Sequence, residues 1–285
     1  MSSRIKQLGI TPRKSLGQNF LVDDGYARRI VAAAGIDPDD LVFEIGPGIG
    51  ALTTHLAQRA AHVIAIELDQ ALIAPLRLAL GAPEQGNRDT VDIIHADALE
   101  VDYSALAAGA ARAQQFEAIR FVGNLPYYIT SAAIRVILES GLTIARAVLT
   151  VQAEVAERAA AKPPDMSLLA VSVQFYGVAT VLFRLPPAVF YPQPGVESAV
   201  LQIAQHTLPL FDDPTLFFRW VKAGFSQPRK QLRNTLAAGL NMPKHRVEST
   251  LAQAQIDPAR RPETLTVQDW ISVAHAARET RAHGE

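Results

Sequence analysis

The sequence contains no cysteine. Disulfides, thiolate zinc sites and thiol nucleophiles are thereby excluded, and the compartment is left open. With 285 residues the chain can bury a large core without such staples. Aromatic residues are few, at 7%. No apolar run approaches the ~18 residues a membrane-spanning helix needs. The opening Met1-Ser2-Ser3-Arg4-Ile5-Lys6 leads into no apolar signal core, so a cytoplasmic location without membrane contact is the expectation. Neither sign of charge is in excess: 27 Lys and Arg against 28 Asp and Glu leave a net charge of −1. Binding to a polyanion would therefore have to come from local clusters, not from the mean. The 7 histidines are scattered, with no H-E-x-x-H or paired ligand spacing, and no metal is expected. Repeats and low-complexity tracts are also absent.

What is present is a globular composition, 49% hydrophobic and 19% charged. Short β-branched runs alternate with alanine-rich helical stretches. Residues 42–45, 63–67, 92–96, 120–123 and 146–151 read as buried strands; 51–59, 70–80 and 131–139 read as the helices between them. Such alternation predicts an α/β fold, a doubly wound, mostly parallel Rossmann-like sheet. Two more strands, 172–178 and 198–206, follow one another without a comparable helix and are expected as an antiparallel edge. After a linker carrying two prolines and two aspartates (208–214), only helical spacing remains, at 216–224, 228–239, 244–255 and 267–280. The expected domains are 1–206 and a small all-helical 207–285.

The chemistry concentrates at strand ends. Glu44-Ile45-Gly46-Pro47-Gly48-Ile49-Gly50 follows the first strand, and its glycines let a ligand approach the backbone closely. The second strand ends in Glu67, placed to take both hydroxyls of a ribose, and the third ends near Asp97, which could hold the amino group of an adenine. Two cofactors compete for such a pocket, NAD and S-adenosylmethionine. Glu44 suits a cationic ligand and tilts the balance toward the sulfonium compound without deciding it.

The fourth strand ends in Asn124-Leu125-Pro126-Tyr127, with Tyr128 as a second adjacent aromatic. The lone pair of an exocyclic purine amine is delocalised, so the amine is a weak nucleophile. Acceptors around its N–H bonds, here the Asn124 side-chain oxygen and the Leu125 or Pro126 carbonyl, bias it toward tetrahedral geometry and stabilise developing positive charge. Pro126 fixes the turn, and Tyr127 offers a face on which an extruded base can stack.

Asn124–Tyr127 resembles the N-L-P-Y motif of ribosomal RNA adenine N6-dimethyltransferases. Lys14–Leu21 resembles that family's N-terminal motif, Glu44–Gly50 its cofactor loop, and Pro186–Val200 its P-P-x-x-F-x-P-x-P-x-V-x-S-A-V segment. Gly224–Asn234 and Arg260–Leu265 resemble elements of the branch acting on the small ribosomal subunit. The resemblance implies dimethylation of two adjacent adenosines near the 3′ end of 16S ribosomal RNA within the 30S subunit, from S-adenosylmethionine; a monomer is expected. It assigns Asn19, Leu21, Gly46, Glu67, Asp97 and Asn124 to the cofactor, and Asn124, Leu125, Pro126, Tyr127 and Phe190 to the target adenine. Phe190 and Tyr127 suit opposite faces of one base; ordinary core packing is the other reading of Phe190.

Two basic clusters suit RNA. Residues 219–246 hold seven Lys or Arg and no acid, and residues 1–20 hold four and no acid. Arg13, Lys14, Lys222, Arg229, Lys230 and Arg233 are the expected RNA contacts, with Arg229 and Arg233 on one helix face. Pro228, Gly195, Ala153 and Ser167 depart from the family pattern at surface or charged positions, away from the cofactor loop. Two rivals remain: a large-subunit adenine methyltransferase of the macrolide-resistance type, and a nucleic-acid-binding or assembly factor of the same fold.

Overall fold

A computed structural model describes residues 5, 9–81, 90–112 and 115–282; Arg4 and Lys6 of the first basic cluster lie outside these. The chain forms two compact units, the first made of 1–156 and 179–205, the second of 157–178 and 206–285.

The first unit begins with β1 (Phe20–Leu21) and α1 (Asp24–Ala34). Asp23 caps α1 by accepting the Tyr26 N–H, and Gly35 ends it in a left-handed conformation. Then come β2 (Leu41–Ile45), α2 (Thr53–Leu56), β3 (His62–Glu67), α3 (Gln70–Ala79), β4 (Val91–His95) and α4 (Tyr103–Ala111). The first half of the sheet is thus built of strand–helix–strand crossovers. β5 (Ile119–Asn124), α5 (Thr130–Leu138) and β6 (Ile144–Gln152) continue the pattern, followed by α6 (Ala153–Ala159). The sheet has seven strands in the order β4-β3-β2-β5-β6-β9-β7, where β7 is Gly177–Leu185 and β9 is Ser198–Gln205. Strands β2 to β6 pair in parallel and β6–β9 antiparallel, as the sequence predicts. β8 (Phe190–Tyr191) pairs with β1 in a separate two-stranded sheet, Leu21 opposite Phe190.

Every residue of β2 is buried, as a strand covered on both faces requires. Phe43 stacks on Phe121 at 5.0 Å and meets Tyr103 edge-on at 5.3 Å, which ties α4 to the sheet. Near the start of β5, Arg120 is nearly buried. It donates to the buried Asp40 carboxylate, to the Ala34 carbonyl at 3.0 Å and to Asp37 at 3.3 Å. One side chain therefore joins the end of α1 to the start of β2.

The second unit contains α7 (Leu168–Tyr176), α8 (Pro214–Gly224), α9 (Leu232–Leu240), α10 (Lys244–Gln253) and α11 (Val267–Ala282). Its core gathers Phe175, Phe217, Trp220, Leu236, Leu251 and Trp270. A Cβ on Gly224 would stand 2.3 Å from the Trp270 ring, so α8 and α11 pack at a distance only glycine permits.

Three sequence expectations are corrected here. Residues 172–178, read as a strand, lie mostly in α7, and β7 starts only at Gly177. Leu168–Tyr176 is apolar on most sides because it is buried in the second unit's core, and a buried helix cannot be told from a buried strand by periodicity. Ser167, one of the departures from the family pattern, caps this helix by accepting the Ala170 N–H at 3.1 Å. Residues 157–178 belong with 206–285 in the second unit. The helix read over 228–239 begins at Leu232, because Arg229 is left-handed (φ 66°) and Gln231 extended. Arg229 and Arg233 therefore do not share a helix face. Of residues 51–59, only Thr53–Leu56 is α-helical.

Candidate active site

The strand order reverses between β2 and β5, and ligands of doubly wound sheets bind at such a switch point, beyond the carboxyl ends of the strands. Ile45 is paired with Gly123, so the glycine loop and the Asn124 turn leave the sheet side by side. A Cβ on Gly123 would lie 2.7 Å from the Ile45 carbonyl, and only glycine lets the two strand ends come this close. Gly46 is left-handed (φ 70°), which turns the chain across the end of β5.

A cavity of about 770 Å³ opens there. It brings together Asn19, Gly46, Glu67, Asp97, Asn124 and Tyr127, and also Leu125 and Pro126, from four strand ends and the N-terminal segment. Glu67 is held rigidly: its oxygens accept the Gly48 N–H at 3.0 Å and the Asp69 N–H at 2.8 Å. Each carboxylate oxygen keeps a lone pair beyond these bonds. Burial raises its pKa, opposed by those two N–H groups. Asp97 accepts the Leu99 N–H at 2.8 Å. Asp69 is a residue the sequence reading missed. It is buried, caps α3, accepts the Gln18 amide at 2.9 Å and pairs with Arg13 at 2.9 Å, fastening the N-terminal segment beside the cavity. Its signal was legible as an aspartate directly before a helix.

A smaller cavity of about 280 Å³ adjoins, lined by Leu21, Glu44, Leu52 and Asn124 among others. Both Glu44 carboxyl oxygens and the Thr53 hydroxyl are buried without a well-formed hydrogen bond, and burial pushes the Glu44 carboxyl from 4.5 up to about 8 against the weaker pull of the nearby Thr53 hydroxyl and N–H. Unfolded, the group loses its proton near 4.5; folded, it keeps it to about 8. Between those values the folded chain binds the extra proton, so stability falls as pH rises through this window and levels off above it. Glu44→Gln is expected to flatten that slope in thermal melts taken from about pH 5 to pH 9. An unchanged slope would show that this carboxyl is not its source.

Asn124 is oriented by its surroundings. Its side-chain amide donates to the Asn19 carbonyl at 2.8 Å, which commits the nitrogen and leaves Oδ1 as the free acceptor. The Pro126 carbonyl accepts both the Ile129 N–H at 3.1 Å and the Thr130 hydroxyl at 3.3 Å. Of the two carbonyls the sequence offered, Leu125's is therefore the one left available to a ligand. The Tyr127 hydroxyl is held by the buried Ser198 at 2.8 Å, a partner sequence reasoning did not single out.

Two expected site residues lie elsewhere. Phe190 is 3% exposed, packs in the core cluster with Val189 and Val200, and does not line the larger cavity. The core reading describes its position here. Leu21 belongs to the same cluster and reaches only the smaller cavity. Among the expected RNA contacts, Lys14, Lys222, Arg229 and Lys230 are exposed. Arg13 is paired with Asp69, and Arg233 lies 3.8 Å from Glu248.

Among the described residues no Lys or Arg lines either cavity, whereas Glu44, Glu67 and Asp97 do. No α-helix starts at the glycines either, since α2 begins only at Thr53. A pyrophosphate would find no cation and no helix N-terminus here; a sulfonium bearing an ammonium group would find carboxyls. The donor set fits S-adenosylmethionine, and fold and site together define a Rossmann-like S-adenosylmethionine-dependent methyltransferase.

Known proteins narrow this class. The family Ribosomal RNA adenine dimethylase matches residues 9–279. The Ribosomal RNA small subunit methyltransferase A of Moorella thermoacetica is 44% identical over 240 residues, 82% of each chain. Its namesake from Geobacillus thermodenitrificans is 43% identical over 81% of this chain and 78% of its own. The crystal structure of the 23S rRNA methyltransferase ErmE superposes with a TM-score of 0.68 at 26% identity, covering 90% of this chain and 99% of that one. A dimethyladenosine transferase from Plasmodium falciparum shares the fold, with a TM-score of 0.76 at 22% identity over 92% and 98%. The chain belongs to the ribosomal RNA adenine dimethylase family; it is an enzyme that methylates adenine in ribosomal RNA.

Proposed function

We propose that the substrate is the small ribosomal subunit, where the enzyme dimethylates N6 of two adjacent adenosines near the 3′ end of 16S RNA, acting in the cytoplasm as a monomer. The relatives at 44% and 43% identity are named for the small subunit, and they support this branch over the large-subunit one, whose ErmE is 26% identical. Among the described residues no helix is long and apolar enough to cross a membrane.

The observation that carries the chemistry is the fixed Asn124 amide, with Oδ1 and the Leu125 carbonyl as the unspent acceptors at one cavity wall. S-adenosylmethionine supplies an electrophilic methyl group on a cationic sulfur. The chain's part is to position the amine and to hold charge. Asn124 Oδ1 and the Leu125 carbonyl accept the two N6–H bonds, which draws the nitrogen toward tetrahedral geometry and stabilises the positive charge that grows on it. Tyr127, anchored through Ser198, supports the ring of the extruded base. Glu67 takes the ribose hydroxyls, Asp97 the amino group of the cofactor's adenine, and Gly46 and Asn19 complete the cofactor walls. Glu44, which burial keeps protonated in the free protein, gives up its proton as the cationic amino-acid end comes to face it. No strong base is needed, because the product ammonium loses its proton readily.

The exposed cations of residues 219–246 hold the RNA backbone. Replacing Lys222, Arg229 and Lys230 together by alanine is expected to weaken subunit binding and to reduce the slope of log K against log salt by about 2, at ~0.7–0.9 per phosphate contact. Calorimetric affinity for S-adenosylmethionine should stay unchanged. An unaltered salt slope would remove these side chains from the interface.

The function is tested by incubating the protein with labelled S-adenosylmethionine and undermethylated small subunits, large subunits or DNA. Label in two adjacent adenosines of small-subunit RNA is expected. Label in large-subunit RNA alone would overturn the branch.

A further inference from the structure

Of the 11 Phe, 6 Tyr and 2 Trp in the chain, Tyr128 alone is exposed; every other is half-buried or buried. At 59% exposure it stands on the short 3₁₀ turn Tyr127–Ile129, directly after the Asn124–Tyr127 segment, and lines the mouth of the larger cavity. Its neighbour Tyr127 is committed inward through Ser198. The Tyr128 ring rests against the N-terminal segment: a Cβ on Gly17 would stand 3.2 Å from Tyr128 Cδ1, so the bare, left-handed glycine leaves room for the ring. The result is an aromatic surface turned to solvent, one residue from the group that supports the target base. An exposed aromatic has little to gain from water, and it is unexplained by the core.

A nucleotide extruded into a cavity keeps its backbone, so the adjoining nucleotide is delivered to the rim a few ångströms away. An unstacked base at that rim has lost its own neighbour and has a face to cover. We propose that Tyr128 is the stacking platform for the nucleotide adjacent to the target adenosine, setting substrate affinity. This rests on the ribosomal RNA reading above. Stacking of one base on an aromatic ring contributes a factor of about 5 to 150, equivalent to ~1–3 kcal/mol. Any flat base serves, and the phenol hydroxyl is dispensable.

The test compares wild-type, Tyr128→Ala, Tyr128→Phe and Tyr128→Trp proteins. KM and kcat are measured on undermethylated small subunits, and the dissociation constant of S-adenosylmethionine by calorimetry. Tyr128→Ala is expected to raise KM for subunits at least about 5-fold while cofactor affinity stays within about 2-fold, and Phe and Trp should both restore KM. An unchanged KM in the alanine variant would overturn the proposal. So would a matching loss of cofactor affinity, which would make the ring a cover over the cofactor, or failure of Phe and Trp to rescue. The wild-type arm separates this from the substrate assignment: if the unaltered enzyme labels another RNA, that assignment fails and the variants are compared on the RNA it does label.

Discussion

Asn124→Ala is expected to lower kcat for methyl transfer by about 10²–10³-fold, the loss typical when one preorganised group facing developing charge is removed. The side chain does two things. Its nitrogen, bonded to the Asn19 carbonyl at 2.8 Å, fixes the orientation, and its oxygen is then the acceptor at the cavity wall. Alanine removes both and leaves the Leu125 carbonyl alone, too little to hold an amine with two N–H bonds. Asn124→Asp is the sharper variant. A carboxylate keeps the acceptor but cannot donate to Asn19, so two oxygens would face each other and the group would swing away. Its kcat is expected to fall nearly as far as that of alanine, although aspartate is the closest isostere. Both variants should melt near the wild-type temperature, since Asn124 is half-buried at a strand end. Aspartate activity close to wild type would show that the bond to Asn19 does not orient the group.

Arg120→Met is expected to cost about 3–5 kcal/mol of stability, the scale measured when one member of a buried ion pair is removed. The Asp40 carboxylate is 1% exposed, and Arg120 is its only cationic partner among the described residues. Methionine fills similar volume but leaves that charge buried, and it also frees the Ala34 carbonyl at the end of α1. Chemical denaturation of the wild type, Arg120→Met and Arg120→Met with Asp40→Leu gives the check. The double variant should recover part of the loss, because removing both partners removes the stranded charge. Equal stability of single variant and wild type would mean the pair contributes nothing net.

Strand ends carried most of what could be read in advance. Glycines, Glu67, Asp97 and Asn124 are each placed by a local rule, a polar or glycine residue directly after a β-branched run, and a parallel sheet gathers successive strand ends on one side. Residues 172–178 read as a strand because the burial of the helix Leu168–Tyr176 belongs to the second unit, which no local pattern announces. The Pro126 carbonyl illustrates a different limit: its engagement by Ile129 and Thr130 depends on a 3₁₀ turn, and sequence offered two equivalent carbonyls. Phe190 lies in an extended pair with Leu21, where alternation decides which way a ring points. The Arg13–Asp69 pair bridges segments far apart in sequence, so neither residue could have named the other.

The decisive measurement is a crystal structure with S-adenosylhomocysteine and an oligonucleotide carrying the two adenosines. The target N6 is expected within ~2.7–3.2 Å of both Asn124 Oδ1 and the Leu125 carbonyl, with its ring against Tyr127. A base held elsewhere, or Asn124 turned so that its oxygen faces away from N6, would contradict the account.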